Sequence, residues 1–155
     1  SVPHQNIPVE RIQQQALSLG LILFTVPLSH PATNEEYLSA VYRAIRSVPF
    51  DTGRLIFGDL HREEIREWRE QQFEGIGYEC SFPIWQKPAG ELMDCLESEP
   101  VSVRISSVME EWQEAIKPGT LFNRDFIRTL PDEVDPFGER GEFHTEVIFT
   151  SSQDL

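Results

Sequence analysis

The chain has 155 residues, 39% of them hydrophobic and 25% charged, the make-up of an ordinary globular protein whose core needs neither disulfides nor metals. Its 13 basic and 26 acidic residues leave a formal net charge of −13, which argues against a broad basic face for nucleic acid or an anionic membrane, though not against a small anion held locally. The two cysteines, Cys80 and Cys95, make no secreted disulfide framework and no zinc spacing, so a cytoplasmic chain with reduced thiols and no metal site is expected.

"IPVERIQQQALSLG" (7–20) predicts a helix: Pro8 suits the first turn, Val9, Ile12, Ala16 and Leu17 follow helical spacing, and Gly20 is a stop. "LILFTV" (21–26) predicts a buried strand. The apolar run around it is too short for a bilayer, and no signal peptide is visible. "SHPATNEEY" (29–37) is a loop leading into a helix, with Thr33 and Glu36 at capping-box spacing. Leu38, Val41, Ile45 and Val48 form that helix's inward stripe, and Pro49 ends it.

"RLIF" (54–57) is the next strand, followed by Gly58 and Asp59. Residues 62–74 predict a charged helix with Ile65, Trp68 and Phe73 as apolar contacts. "YECSF" (78–82) is a strand, Glu91–Leu96 a short helix and "VSVRI" (101–105) a strand. "VMEEWQEAI" and "FNRDFIRTL" carry helical spacing. In "FHTEVIF" (143–149), Phe143, Thr145, Val147 and Phe149 share one face, and His144, Glu146 and Ile148 the other. Strands alternating with helices imply one α/β domain over 1–155, a mainly parallel sheet flanked by helices.

In such sheets ligands bind beyond the carboxyl ends of the strands. Three junctions fall there: "FGDL", "PIW", and Ser106 with Ser107. Gly58 allows close backbone approach and Asp59 can bind a hydroxyl, amine or metal ion, or the pair is a turn and a helix cap. Trp85 stacks on an aromatic ligand or packs in the core. "REEIREWRE" (62–70) is a solvated face, with Arg66 and Trp68 as exceptions. The densest chemistry is "GERGEFHT" (138–145). Gly138 and Gly141 permit positive φ, Glu139 and Glu142 can hold a cation or act as bases, and His144 can move a proton. Glu142 and His144 are expected on the open face of a strand, opposite a buried Phe143, with little weight in stability.

"EVDPFGERGEFHTEV" resembles the C-terminal signature of the diphthine–ammonia ligase family of PP-loop ATP pyrophosphatases, close to V-D-P-C-G-E-N-G-E-F-H-T. Val134, Asp135, Pro136, Gly138, Glu139, Gly141, Glu142, Phe143, His144 and Thr145 match, whereas Phe137 and Arg140 replace the cysteine and asparagine. "FGDLHREEIREW" and "FPIW" are similar to the family's F-G-D-I and F-P-L-W runs, in the same order. The resemblance implies an adenine-nucleotide α-hydrolase-like fold and ATP-dependent amide formation, with ATP and Mg2+ as cofactors. A carboxylate, small or protein-borne, is adenylated with loss of pyrophosphate, and ammonia displaces AMP. Glu142 and His144 would be catalytic; Gly58, Asp59, Trp85, Gly138, Glu139, Gly141, Phe143 and Thr145 would bind substrate. The family's S-G-G-x-D-S phosphate loop has no counterpart in these residues. The expectation is therefore an N-terminally truncated domain, inactive alone, that self-associates through an exposed sheet edge or takes the missing half from a partner. The alternative is a non-catalytic module binding a nucleotide or small molecule.

Overall fold

The computed structural model describes residues 5, 7–28 and 31–149. Helix α1 (Val9–Ser18) follows Pro8 and buries Ala16. It lies on the last strand, with Gln15 Nε2 donating to the Val147 carbonyl at 2.7 Å and Arg11 paired with Glu146 at 2.5 Å. Helix α2 (Asn34–Ser47) begins with the capping box that the sequence predicts. Thr33 Oγ1 accepts from Glu36 N at 3.2 Å, and the Glu36 carboxylate accepts from Thr33 N at 2.8 Å. Residues 29 and 30 of the expected loop lie outside the described residues.

Strands β1 (Arg54–Ile56) and β2 (Glu79–Ser81) pair in parallel, Leu55 opposite Cys80, joined through helix α3 (Glu63–Phe73). This is the βαβ unit that the alternation implies. Phe73, 1% exposed, anchors it. The Phe57 ring lies 5.7 Å from Phe73 and 5.5 Å from Phe82, and the Tyr42 ring 5.8 Å from Phe73.

Helix α4 (Ala89–Ser98) precedes β3 (Val101–Val108). A short helix, α5 (Arg124–Thr129), capped by Asn123 Oδ1 on Phe126 N at 2.8 Å, precedes β4 (Phe143–Phe149). β3 and β4 run antiparallel, Val101 opposite Phe149 and Val108 opposite Phe143, with a bulge between Ile105 and Ser107. The other edge of β3 is covered by residues 119–122, with Phe122 N donating to the Val103 carbonyl at 2.8 Å. Met93, Val103, Ile105, Ile116, Phe122, Phe126, Val134 and Phe143 form the core around this pair.

Four expectations are corrected. The fold is mixed α/β, but the described strands make a two-stranded parallel and a two-stranded antiparallel sheet, not one mainly parallel sheet. Between β3 and β4 the chain folds back over one end, where Met109 N donates to the Glu142 carbonyl at 2.8 Å. The pair therefore closes as a long hairpin rather than through a helical crossover. Residues 21–26 form no strand, and Leu21 and Ile22 are 61% and 70% exposed. An apolar run becomes a strand only where a neighbour takes its backbone hydrogen bonds, and no described strand lies beside this one. Phe24 meets Phe50 edge-on at 6.4 Å. "VMEEWQEAI" yields only a 3-10 turn, Glu110–Trp112, because Val108 completes β3 and Met109 is extended. Ser106 and Ser107 lie inside β3, at its bulge, and not beyond its end.

Candidate functional site

The turn before β4 explains its own composition. Asp135, 8% exposed, folds the chain back: its Oδ1 accepts from Phe137 N at 2.9 Å, and its carbonyl accepts from Gly138 N at 3.0 Å. Gly138 and Gly141 sit at φ +70° and +90°, where a side chain is strained. At Gly138 a Cβ would also stand 2.5 Å from the Phe143 carbonyl oxygen. Glu142 then clasps both ends of the turn. Its Oε1 accepts from Asp135 N at 2.9 Å and its Oε2 from Arg140 N at 3.0 Å. The expectation of an exposed Glu142 is thus corrected, since the residue is 4% exposed and its carboxylate oxygens are both engaged by backbone. Phe143 is in the core as expected, at 1% exposure.

The loop after β1 docks on this turn. Leu60 N donates to Glu139 Oε2 at 3.2 Å, His61 Nε2 meets Asp135 Oδ2 at 2.6 Å, and Arg62 Nη1 donates to the Glu139 carbonyl at 3.2 Å. The segment after β2 joins through Gln86 N, which donates to the Leu60 carbonyl at 2.7 Å. Of the three junctions singled out in the sequence, the one after β1 meets the glycine turn directly, and the one after β2 is tied to it through Leu60.

Two clefts open there. A polar one of about 430 Å3 is lined by Gly138, Glu139, Gly141, Phe143, His144 and Thr145, together with Arg62 and Arg140. An apolar one of about 260 Å3 has Gly58, Phe137, Glu139 and Thr145 in its wall. Asp59 and Trp85 line neither. The Asp59 carboxylate is held by Arg69, at 2.7 Å to Nε and 3.3 Å to Nη2. Arg69 also lies 4.4 Å over the Phe57 ring, which makes this a packed strut under the loop. The Trp85 ring is covered by Arg66 at 4.9 Å. Trp68 packs on Tyr37 at 6.1 Å. No family model and no curated protein matches the chain.

Glu139 is the chemically distinctive group of the site. Burial pushes its carboxyl above the ordinary range, and the neighbouring Asp135 and Asp59 charges push the same way, against the Leu60 N–H and the nearby His61. The native chain therefore holds this proton more tightly than the unfolded chain does. That contribution is present at low pH and is lost as pH rises from the ordinary carboxylate range through the raised value. Glu139→Gln removes the titration and retains an acceptor for Leu60 N. Its melting temperature relative to the wild type should rise as the pH climbs above the ordinary glutamate range of about 4. A difference that is flat or falls with pH would show that the carboxyl carries no such penalty.

Sequence reading passed over His61, Arg62 and Arg140. His61 and Arg62 sit in "FGDLHREEIREW", where they read as a helix approach. Their partners are 74 and 77 residues away. Among the described residues no cluster of three acidic, histidine or cysteine side chains is set to hold a metal ion, and no helix is long and apolar enough to cross a membrane.

Proposed function

We propose that this chain is the acceptor side of an ATP-dependent amide-forming domain of the diphthine–ammonia ligase type. The observation that carries the reading is the docking of "FGDLHR" on the turn of "DPFGERGEFHT" by three hydrogen bonds, two to Glu139 and one to Asp135, with a polar cleft beside them. These are two of the segments on which the family resemblance rests, and a shared cleft gives them a shared task.

The polar cleft suits a carboxylate being activated as its adenylate. Arg62, Arg140 and His144 line it and are groups that donate to carboxyl or phosphate oxygens. The two glycines let backbone approach a ligand closely. Glu142 acts on the substrate only through the turn it fastens, which makes it a positioning residue and leaves His144 as the side chain of the pair that can reach ligand. Mg2+ would arrive with the nucleotide phosphates, since no cluster among the described residues is set to hold it. The pyrophosphate end of ATP would be gripped by a phosphate loop outside these residues.

A non-hydrolysable acyl-adenylate mimic, an acylsulfamoyl adenosine, tests the reading by titration calorimetry. It should bind, and His144→Ala should weaken it about tenfold, the effect of losing one hydrogen bond to a charged ligand. ATP should bind no more tightly than AMP and should not be consumed. Absence of mimic binding at about 1 mM would remove the reading, and robust pyrophosphate release by these residues alone would overturn the assignment of the missing loop.

A further inference from the structure

The apolar cleft has a composition that restricts what can enter it. Leu60 and Ile84 come from the loops after β1 and β2, Leu92 and Leu96 from α4, and Phe122 and Val147 from the core side. Among the described residues, the single ionisable group in its wall is Glu139. A carboxylate or phosphate entering here would meet a like charge and no cation. A neutral apolar molecule would strip water from Glu139 without replacing it, which is unfavourable for an ionised group. An ammonium group on an apolar body satisfies both features, because the body buries against the aliphatic wall and the cation pairs with the carboxylate.

We propose that this cleft binds a primary amine carrying an apolar body, with its nitrogen on the Glu139 carboxylate. The volume of about 260 Å3 gives room for about nine water-sized groups at ~30 Å3 each, the scale of a hexyl or phenylethyl chain. Ammonia itself would leave the apolar walls without a partner.

The two clefts share Phe137, Glu139 and Thr145. An amine nitrogen on Glu139 therefore stands at the boundary with the cleft that Arg62, Arg140 and His144 line. Resting on the function proposed above, this amine is the nucleophile of amide formation. Its ammonium gives one proton to Glu139, and the freed lone pair attacks the acyl carbon of the adenylate. The C–N bond forms, the acyl–oxygen bond breaks, and AMP leaves with the bonding pair. The second nitrogen proton goes to water. The raised proton affinity of Glu139 suits it to take the first.

Hexylamine, hexanol and hexanoate, titrated separately into the full chain near neutral pH and low salt, test the site. Hexylamine should bind at least about tenfold more tightly than hexanol, with hexanoate weakest. Glu139→Gln should bring hexylamine to the level of hexanol. Should that variant not fold, salt provides a second readout in the wild type, since added salt should weaken the amine and not the alcohol. Ammonium chloride should weaken hexylamine no more than sodium chloride does at the same ionic strength. The proposal is overturned if hexanol or hexanoate binds as tightly as the amine, if hexylamine does not bind by about 10 mM, or if Glu139→Gln or salt leaves the amine unaffected. Amine binding without binding of the adenylate mimic would keep this site and remove the amide-forming reading; the reverse would remove this site alone.

Discussion

Replacing Phe143 by alanine should destabilise the fold by about 3–5 kcal/mol, the range for deleting a fully buried aromatic ring. The residue is 1% exposed and packs edge-on against Phe126 at 5.7 Å and at a tilt against Phe122 at 6.1 Å. It also fixes the site: its ring and carbonyl lie against Gly138, so the cavity would open directly beneath the glycine turn. A domain of this size has about 5–15 kcal/mol of stability in all, so the variant should lose at least about a fifth of its margin. Urea unfolding gives the number, and a loss below about 1 kcal/mol would mean that the ring is not buried as described.

Glu142→Ala should cost about 2–4 kcal/mol. The substitution leaves two backbone N–H groups, of Asp135 and Arg140, without their acceptor. Each unsatisfied buried donor costs about 1–3 kcal/mol, the less buried one at the low end. Glu142→Gln retains one acceptor oxygen but turns an amide NH2 toward the second donor, so it should recover only part of the loss. Hydrogen exchange at the Asp135 and Arg140 amides should accelerate in both variants. Stability within about 0.5 kcal/mol of the wild type, with exchange unchanged, would show that the clasp does not hold the turn.

The legible parts of this chain are those whose partners are near in sequence. Thr33 and Glu36 form their capping box three residues apart. The positive φ of Gly138 and Gly141 and the burial of Phe143 follow from a glycine turn feeding an alternating strand. Glu142 is not legible in the same way, because a glutamate two residues from a histidine on a strand looks like a paired functional group. Its carboxylate instead turns back to Arg140 N and Asp135 N, two and seven residues away, a consequence of the turn's curvature that strand periodicity does not encode. "LILFTV" has the apolar content of a buried strand, but content does not supply the neighbouring ladder. Strand alternation implies parallel pairing, which β1 and β2 show and β3 and β4 do not, because the connection from Met109 to Glu142 returns to the end it left. The site itself was half legible. Both segments were marked, but the contacts that join them, such as His61 to Asp135 and Leu60 to Glu139, span 74 and 79 residues.

The location of ligand binding can be read from the backbone amides. Titrating the acylsulfamoyl adenosine into the isotope-labelled chain should shift the amide resonances of residues 58–62 and 137–145, because those two segments share the cleft. His144→Ala should reduce these shifts at equal ligand concentration. Shifts confined to the groove between residues 24–27 and α2, where Arg43 offers a cation, would place the nucleotide in a separate groove and contradict a site built on the glycine turn.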